Sequence, residues 1–305
     1  MRVVSTFSLA SGIMLDSYKG SLHIHERTLW RQGWGRYDEN DVILADCGFC
    51  SYADYYLLKE KKVDSVMRLH QRRKEKKVIK KFKKNDYWVI WQKGKKNQKP
   101  NWMSSHQWDQ LPDEIIVRYV KVSIDIPGIR TKNFIVATTL LEPNKYPREA
   151  IAQLYWKRWR CEIFLRDIKI TMNMKVLRTK TPEMIHKEFT IYIIAYNLIR
   201  SLMWDAAIEN GQAPERISFK ATINVISHWI PIFRSDWNEE EKIIFINDLK
   251  KFIATNFIQQ RKHVRREPRA IKRRKSNQYQ LMTKPRHEFW EIPHRHKYRK
   301  YLALS

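Results

Sequence analysis

The residues of this chain best suited to chemistry lie on one helical stretch and at one strand end. Residues 155–169 read Y-W-K-R-W-R-C-E-I-F-L-R-D-I-K. At about 100° per residue, Tyr155, Arg158, Glu162, Arg166 and Lys169 fall within an arc of roughly 80°. One carboxylate then stands among cations and a phenol on a single face, with Trp159 beside it. Displacement at a phosphodiester needs such a set: a pair of Mg²⁺ ions held roughly 4 Å apart by several carboxylates, and cations that hold the phosphates. Glu162 would be the metal ligand, with Tyr155, Arg158 and Lys169 as phosphate contacts. Other acids would have to come from a sheet. Plain intrahelical ion pairs of Glu162 with Arg158 and Arg166, each worth about 0.2–0.5 kcal/mol, account for the same residues.

The strand end is V-I-L-A-D-C-G-F-C-S-Y-A at residues 42–53. Val42-Ile43-Leu44-Ala45 is too short an apolar run for a helix and reads as a strand buried on both faces. Asp46 stands at its carboxyl end, followed by a glycine turn, where open mixed sheets place their ligands. It is the sheet acid that Glu162 requires. A structural Asp46 capping the helix after Ser51 is the competing reading. The C-x-x-C of Cys47 and Cys50 could be a redox dithiol or half a zinc site, but zinc needs two more ligands and Cys161 supplies at most one.

These residues need elements to hold them. Strands are predicted at about 3–9 and 13–18, joined by a tight turn at Ser11-Gly12, then a helix at 24–34, the strand 42–45, a helix at 52–60 capped by Ser51, and a strand at 65–69. This β-β-α-β-α-β order describes a mixed sheet with helices packed on it. Alternating β-branched runs at 87–91, 115–122 and 134–141 form a strand-rich segment. From Tyr146-Pro147 the spacing is helical to about Thr171. Thr181-Pro182 opens a long helix that ends before Asn210-Gly211, and further helices follow Ser218 and Asn238.

Lys+Arg 59 against Asp+Glu 32 gives a formal net charge of +27, so the partner is a polyanion. The charge is concentrated in R-R-K-E-K-K-V-I-K-K-F-K-K at 72–84 and R-K-H-V-R-R-E-P-R-A-I-K-R-R-K at 261–275. Cations mixed with apolar and aromatic residues suit nucleic acid, although each run alone could be a solvated face. No apolar stretch is read as a membrane span, and the N-terminal residues read as a hairpin rather than a signal peptide. Three cysteines give no disulfide framework and fit a reducing cytoplasm. Beyond about residue 258 the chain is basic and proline-punctuated, and reads as extended or partly disordered.

Tyr155, Arg158, Glu162 and Lys169 fit Y-x2-R-x3-E-x6-K without a gap. The pattern resembles the signature of the bacterial insertion-sequence transposases of family four. L-A-D-C-G-F-C-S-Y resembles that family's segment around its second catalytic aspartate. T-T-L-L-E-P-N-K-Y-P at 138–147, A-Y-N-L-I-R at 195–200 and P-R-A-I-K-R-R with a later K-P-R resemble further segments. The resemblance implies an α/β, ribonuclease H-like mixed sheet with flanking helices, interrupted by a β-rich insert and followed by a helical C-terminal region. It implies a DDE site with Asp46 and Glu162 as catalytic Mg²⁺ or Mn²⁺ ligands, and Tyr155, Arg158 and Lys169 on transposon-end DNA. An aromatic of the insert would hold a flipped base, with Trp88, Trp91, Trp102 and Trp108 as candidates. The family commonly has arginine after the aspartate, so Cys47 makes the C-x-x-C an accident of substitution.

The corresponding domains are 1–70 and 146–210 for the two parts of the catalytic core, 71–145 for the insertion and 211–305 for the helical region with its basic tail. The segment beginning at Val3 matches the family's second strand, so the first strand and its aspartate are expected to be missing. Asp16 matches a non-catalytic acid. The expectation is a catalytically incomplete transposase in the bacterial nucleoid, acting on DNA as a homodimer or as a heterodimer with a full-length transposase. The alternative is a non-catalytic DNA-binding protein that competes with one.

Overall fold

The computed structural model describes residues 1–70, 73, 77–95, 99–123 and 133–258. The basic run 261–275 and the tail expected beyond residue 258 lie outside the described residues, apart from Ile258 itself. Strands β1 (Arg2–Phe7) and β2 (Met14–Gly20) form the expected antiparallel hairpin. Its turn needs Gly12, whose φ is +79° and where a Cβ would stand 2.9 Å from the Phe164 ring.

The main sheet has six strands in the order β3-β4-β8-β7-β6-β5. β3 (Val42–Ala45) runs parallel to β4 (Asp64–Arg68), and α2 (Tyr52–Glu60) makes the crossover between them. β8 (Asn133–Thr138) pairs antiparallel with β4, followed by β7 (Glu114–Ser123), β6 (Asp86–Gln92) and β5 (Val78–Lys83). Helices α1 (Glu26–Arg31) and α3 (Ser105–Gln110) accompany it. Then follow α4 (Arg148–Lys157), α5 (Trp159–Arg166), α6 (Pro182–Glu209), α7 (Phe219–Trp229) and α8 (Glu239–Ala254). This mixed α/β architecture with a helical C-terminal region is the expected fold class, consistent with a ribonuclease H-like arrangement.

Caps read from the residues hold. The Ser51 and Thr181 side chains accept from the N–H groups of Asp54 and Met184, and Pro182 occupies the first turn of α6. Asn238 and Glu241 close a reciprocal capping box on α8.

Several expectations are corrected. The hairpin does not join the sheet but stands as a separate two-stranded unit. β3 is packed on both faces, Ile43 and Ala45 toward one core cluster and Val42 and Leu44 toward another, but it is an edge strand and only half-buried, because β4 alone flanks it. Part of the basic run is the edge strand β5, where Lys80, Lys81 and Lys83 are exposed on a paired backbone. The single helix expected to about Thr171 is broken at Arg158, and Asp167–Thr171 is a π-helical turn. α6 is long and apolar enough to cross a membrane by length and composition, contrary to the sequence reading. Phe189, Tyr196 and Met203 are nevertheless packed into a core with α5 and α7, and Arg200 is ion-paired to Asp167 at 2.6 Å.

Two further ion pairs tie elements together, one between strands and one between helices. Arg118 of β7 meets Asp86 of β6 through twin bonds of 2.8 and 2.7 Å, and it also donates to the carbonyls of Leu140 and Tyr146 just ahead of α4. Arg31 of α1 clasps Asp54 of α2 at 2.8 and 2.9 Å.

Candidate active site

Asp46 emerges exposed at the end of β3. The Gly48 N–H donates to its Oδ1 at 2.7 Å, and a Cβ at residue 48 would come 3.0 Å from that oxygen. Ser51 caps α2, so Asp46 has no capping duty. Among the described residues nothing bonds its Oδ2, and the carboxylate is aimed by one bond while keeping an oxygen for another partner. The β3–β4 register pairs Ala45 with Met67, which puts Arg68 beside Asp46 on the next strand.

On the helical side, Tyr155 is buried against the Phe134 ring at 5.4 Å between centroids. Burial raises its hydroxyl pKa, while Arg158 pulls it back. Arg158 sits at the break between α4 and α5, donates to Glu162 at 3.2 Å and lies over the Tyr155 and Trp159 rings. Its Nε is buried without an acceptor. Glu162 has about half its side chain in solvent and Arg158 as its ion-pair partner. Asp46, Leu154, Arg158 and Cys161 share the wall of one cavity of about 780 Å³. Asp46 and Arg158 thus line one cavity, and Glu162 is ion-paired to Arg158, although β3 and α5 are more than a hundred residues apart in sequence.

The five-residue stripe is not one open face. Tyr155 is in the core, Arg158 separates α4 from α5 while keeping helical dihedrals, and Lys169 is exposed on the π-helical turn. Arg166 pairs with Asp167 at 3.7 Å rather than with Glu162. Asp16 lines the same cavity but is held by the Tyr18 hydroxyl, the Ser17 N–H at 2.8 Å and Arg36 at 3.3 Å. Arg68, which sequence reading did not single out, stands at the end of the strand next to β3 with its guanidinium 5.7 Å over the Phe134 ring.

Of the cysteines, Cys50 is buried, and burial pushes its thiol up to about 11. Of the tryptophans, Trp91 is buried and donates to the Tyr119 hydroxyl at 2.6 Å, and Trp108 is buried as well. Trp88 donates to the Leu141 carbonyl at 3.0 Å, and Trp102 is exposed with the Arg31 guanidinium 3.9 Å over its ring.

Residues 1–198 match the family described as transposase DDE domain. The chain belongs to that family. It is also 28% identical over 123 residues to the transposase InsG for insertion sequence element IS4 of Escherichia coli (strain K12), a match that covers 39% of this chain and 27% of that relative. The two findings support a DDE transposase of insertion-sequence family four. The matched part is about a quarter of the relative's length.

DDE transposases in general depend on divalent metal. The free oxygen of Asp46 and the half-exposed carboxylate of Glu162 are the hard donors that Mg²⁺ or Mn²⁺ accepts. Among the described residues no three His, Cys, Asp or Glu side chains come together as a metal group. The donors therefore suit the metal in kind and fall short in number.

Proposed function

We propose that this chain serves DNA transposition as an insertion-sequence transposase, contributing Asp46 and Glu162 to a DDE site for cleavage and joining at transposon ends. The observation that supports the reading is that Asp46, whose Oδ2 has no bond among the described residues, lines the same cavity as Arg158, the ion-pair partner of Glu162. Arg158 and Lys169 hold end phosphates, and Tyr155 bears on Arg158 from the buried side. The domain division is 1–70 and 146–210 for the catalytic core, 71–145 for the insertion and 211–305 for the helical region and tail. DNA in the bacterial nucleoid is the substrate, met by a homodimer or a heterodimer with a full-length transposase.

One observation favours a second reading, a DNA-binding protein without catalysis that competes with an active transposase: among the described residues no three His, Cys, Asp or Glu side chains come together as a metal group.

The test is binding to a duplex copied from the element's end. Arg158→Ala and Lys169→Ala are expected to weaken binding to that end more than to random duplex, each by about tenfold, roughly the worth of one charge-assisted contact. Lys80→Ala and Lys81→Ala, on the exposed edge strand, are expected to weaken both duplexes alike. Equal losses on both duplexes for all four variants would return Arg158 and Glu162 to a surface ion pair.

A further inference from the structure

Helix α6 is apolar on two opposite faces. At about 100° per residue, Phe189, Tyr196, Met203 and Ala207 fall together on the face that packs into the core. On the far side of the helix stand Met184, Ile191, Ile194, Leu198 and Ile208, all exposed, Ile191 and Leu198 each at 66%. Lys187, Ser201 and Asp205 complete this outer row, which runs from 184 to 208 in alternating steps of three and four. Ser201 alone of the row is half-buried, and the others are exposed. The row is one reason α6 is apolar enough to cross a membrane by composition. A lipid-facing row excludes charges, and this one holds Lys187 and Asp205.

Steps of three and four are the a and d positions of a heptad, the seam along which two helices pack. This seam is about 36 Å long at 1.5 Å per residue. Its two charges select what can cover it. In an antiparallel pair of identical helices, each a residue of one faces a d residue of the other. Turned about the point midway between Ile194 and Leu198, the row sets Ile194 against the partner's Leu198 and Ile191 against the partner's Ser201. The same turn sets Met184 against the partner's Ile208 and Lys187 against the partner's Asp205. A Lys–Asp pair then closes each end of the apolar middle. Slipping by one heptad puts Lys187 against the partner's Leu198, or Asp205 against the partner's Ile194, and desolvates a charge on an aliphatic side chain. A parallel pair puts Lys187 on the partner's Lys187 and Asp205 on the partner's Asp205. In the single chain Lys187 has the exposed Glu183 at 2.6 Å as its ion-pair partner, and Asp205 has none among the described residues.

We propose that this chain pairs with a second copy of itself through the outer row of α6, the two helices antiparallel, with Lys187 of each opposite the partner's Asp205. The contact is isologous, since one self-complementary row serves both copies. It gives the homodimer proposed above its surface, and it depends on neither the DDE site nor DNA. The inner face of the same helix is tied to the elements around the site: Tyr196 donates to the Gly12 carbonyl at 2.7 Å and Arg200 to Asp167 at 2.6 Å. Pairing through α6 therefore also fixes the two Glu162-bearing helices relative to one another.

The test is the mass of the full 305-residue chain by sedimentation equilibrium, at about 0.3 M salt to screen repulsion between copies of charge +27. A dimer with a micromolar dissociation constant is expected. Leu198→Glu, which places a carboxylate against the partner's Ile194, should raise that constant about a hundredfold or more while leaving the near-ultraviolet circular dichroism unchanged. Lys187→Glu and Asp205→Lys should each raise it about tenfold, and the two together should return it to within about threefold of the starting value. A monomer at on the order of 100 µM overturns the proposal, whether the row is covered by another part of the chain or by a different partner. A dimer indifferent to Leu198→Glu also overturns it and leaves the homodimer to another surface. A double charge exchange no better than its single variants overturns the antiparallel register.

Discussion

Asp86→Ala is expected to be among the most damaging single changes outside the site. It leaves the Arg118 guanidinium, wholly buried, with the carbonyls of Leu140 and Tyr146 in place of two charge-assisted bonds of 2.8 and 2.7 Å. An uncompensated buried charge of this kind costs about 3–5 kcal/mol, against a total stability of about 5–15 kcal/mol for a domain. With a urea dependence of about 1–3 kcal/mol per molar, the unfolding midpoint should fall by on the order of 1 M or more. The double variant Asp86→Leu with Arg118→Met removes both charges at similar volume. It forfeits the bonds to the Leu140 and Tyr146 carbonyls, at about 1–3 kcal/mol for a buried acceptor left unpaired. It should therefore be less destabilised than Asp86→Ala alone, and the cycle of the two singles and the double should show a coupling of about 2 kcal/mol. Equilibrium urea unfolding followed by tryptophan fluorescence measures all four proteins. A loss under about 1 kcal/mol for Asp86→Ala, or a double variant worse than the single, refutes the reasoning that a paired charge braces β6, β7 and the lead into α4.

Three other outcomes are expected. The Glu188 carboxyl is held below its ordinary value by the N–H groups of Arg178 and Thr179 and the Thr179 hydroxyl, so its ordering of that turn is complete above pH 4.5 and lost as pH falls through the depressed folded value. Exchange of the Arg178 and Thr179 amides should accelerate in that acid window, and Glu188→Gln should abolish the pH dependence. At pH 8 iodoacetamide should label Cys47 well before Cys50, whose burial leaves on the order of one thiolate in a thousand; equal labelling would show an open thiol pair. Affinity for any duplex should fall by orders of magnitude between about 50 and 200 mM salt, and a salt-insensitive affinity would refute an interface built on cationic runs.

How far the sequence reaches can be judged at particular residues. It determined by itself the elements whose signals are local. The alternation of residues 87–91 and 115–122, the apolar run before Asp46, Ser51 and Thr181 as caps, and the turn at Gly12 depend on neighbours a few positions away, and all were legible. The spacing of Tyr155, Arg158, Glu162 and Lys169, with the segment around Asp46, was enough to indicate the family. β5 was missed because its lysines mask a strand whose pairing partner, β6, supplies the order.

What only tertiary structure decided was set by partners distant along the chain. Asp86 with Arg118, and Asp167 with Arg200, are 32 and 33 residues apart, and no local pattern distinguishes them from surface charges. The break at Arg158 and the π-helical turn after Arg166 alter a helix by one residue at a time, while Phe164 and Ile168 are drawn into the core shared with α6 and α7. Periodicity read at a constant 100° cannot register such changes, so Tyr155 was expected on an open face and is buried. The separation of β1 from β3 was equally hidden, because a strand's own residues state that it needs neighbours without stating which edge has one.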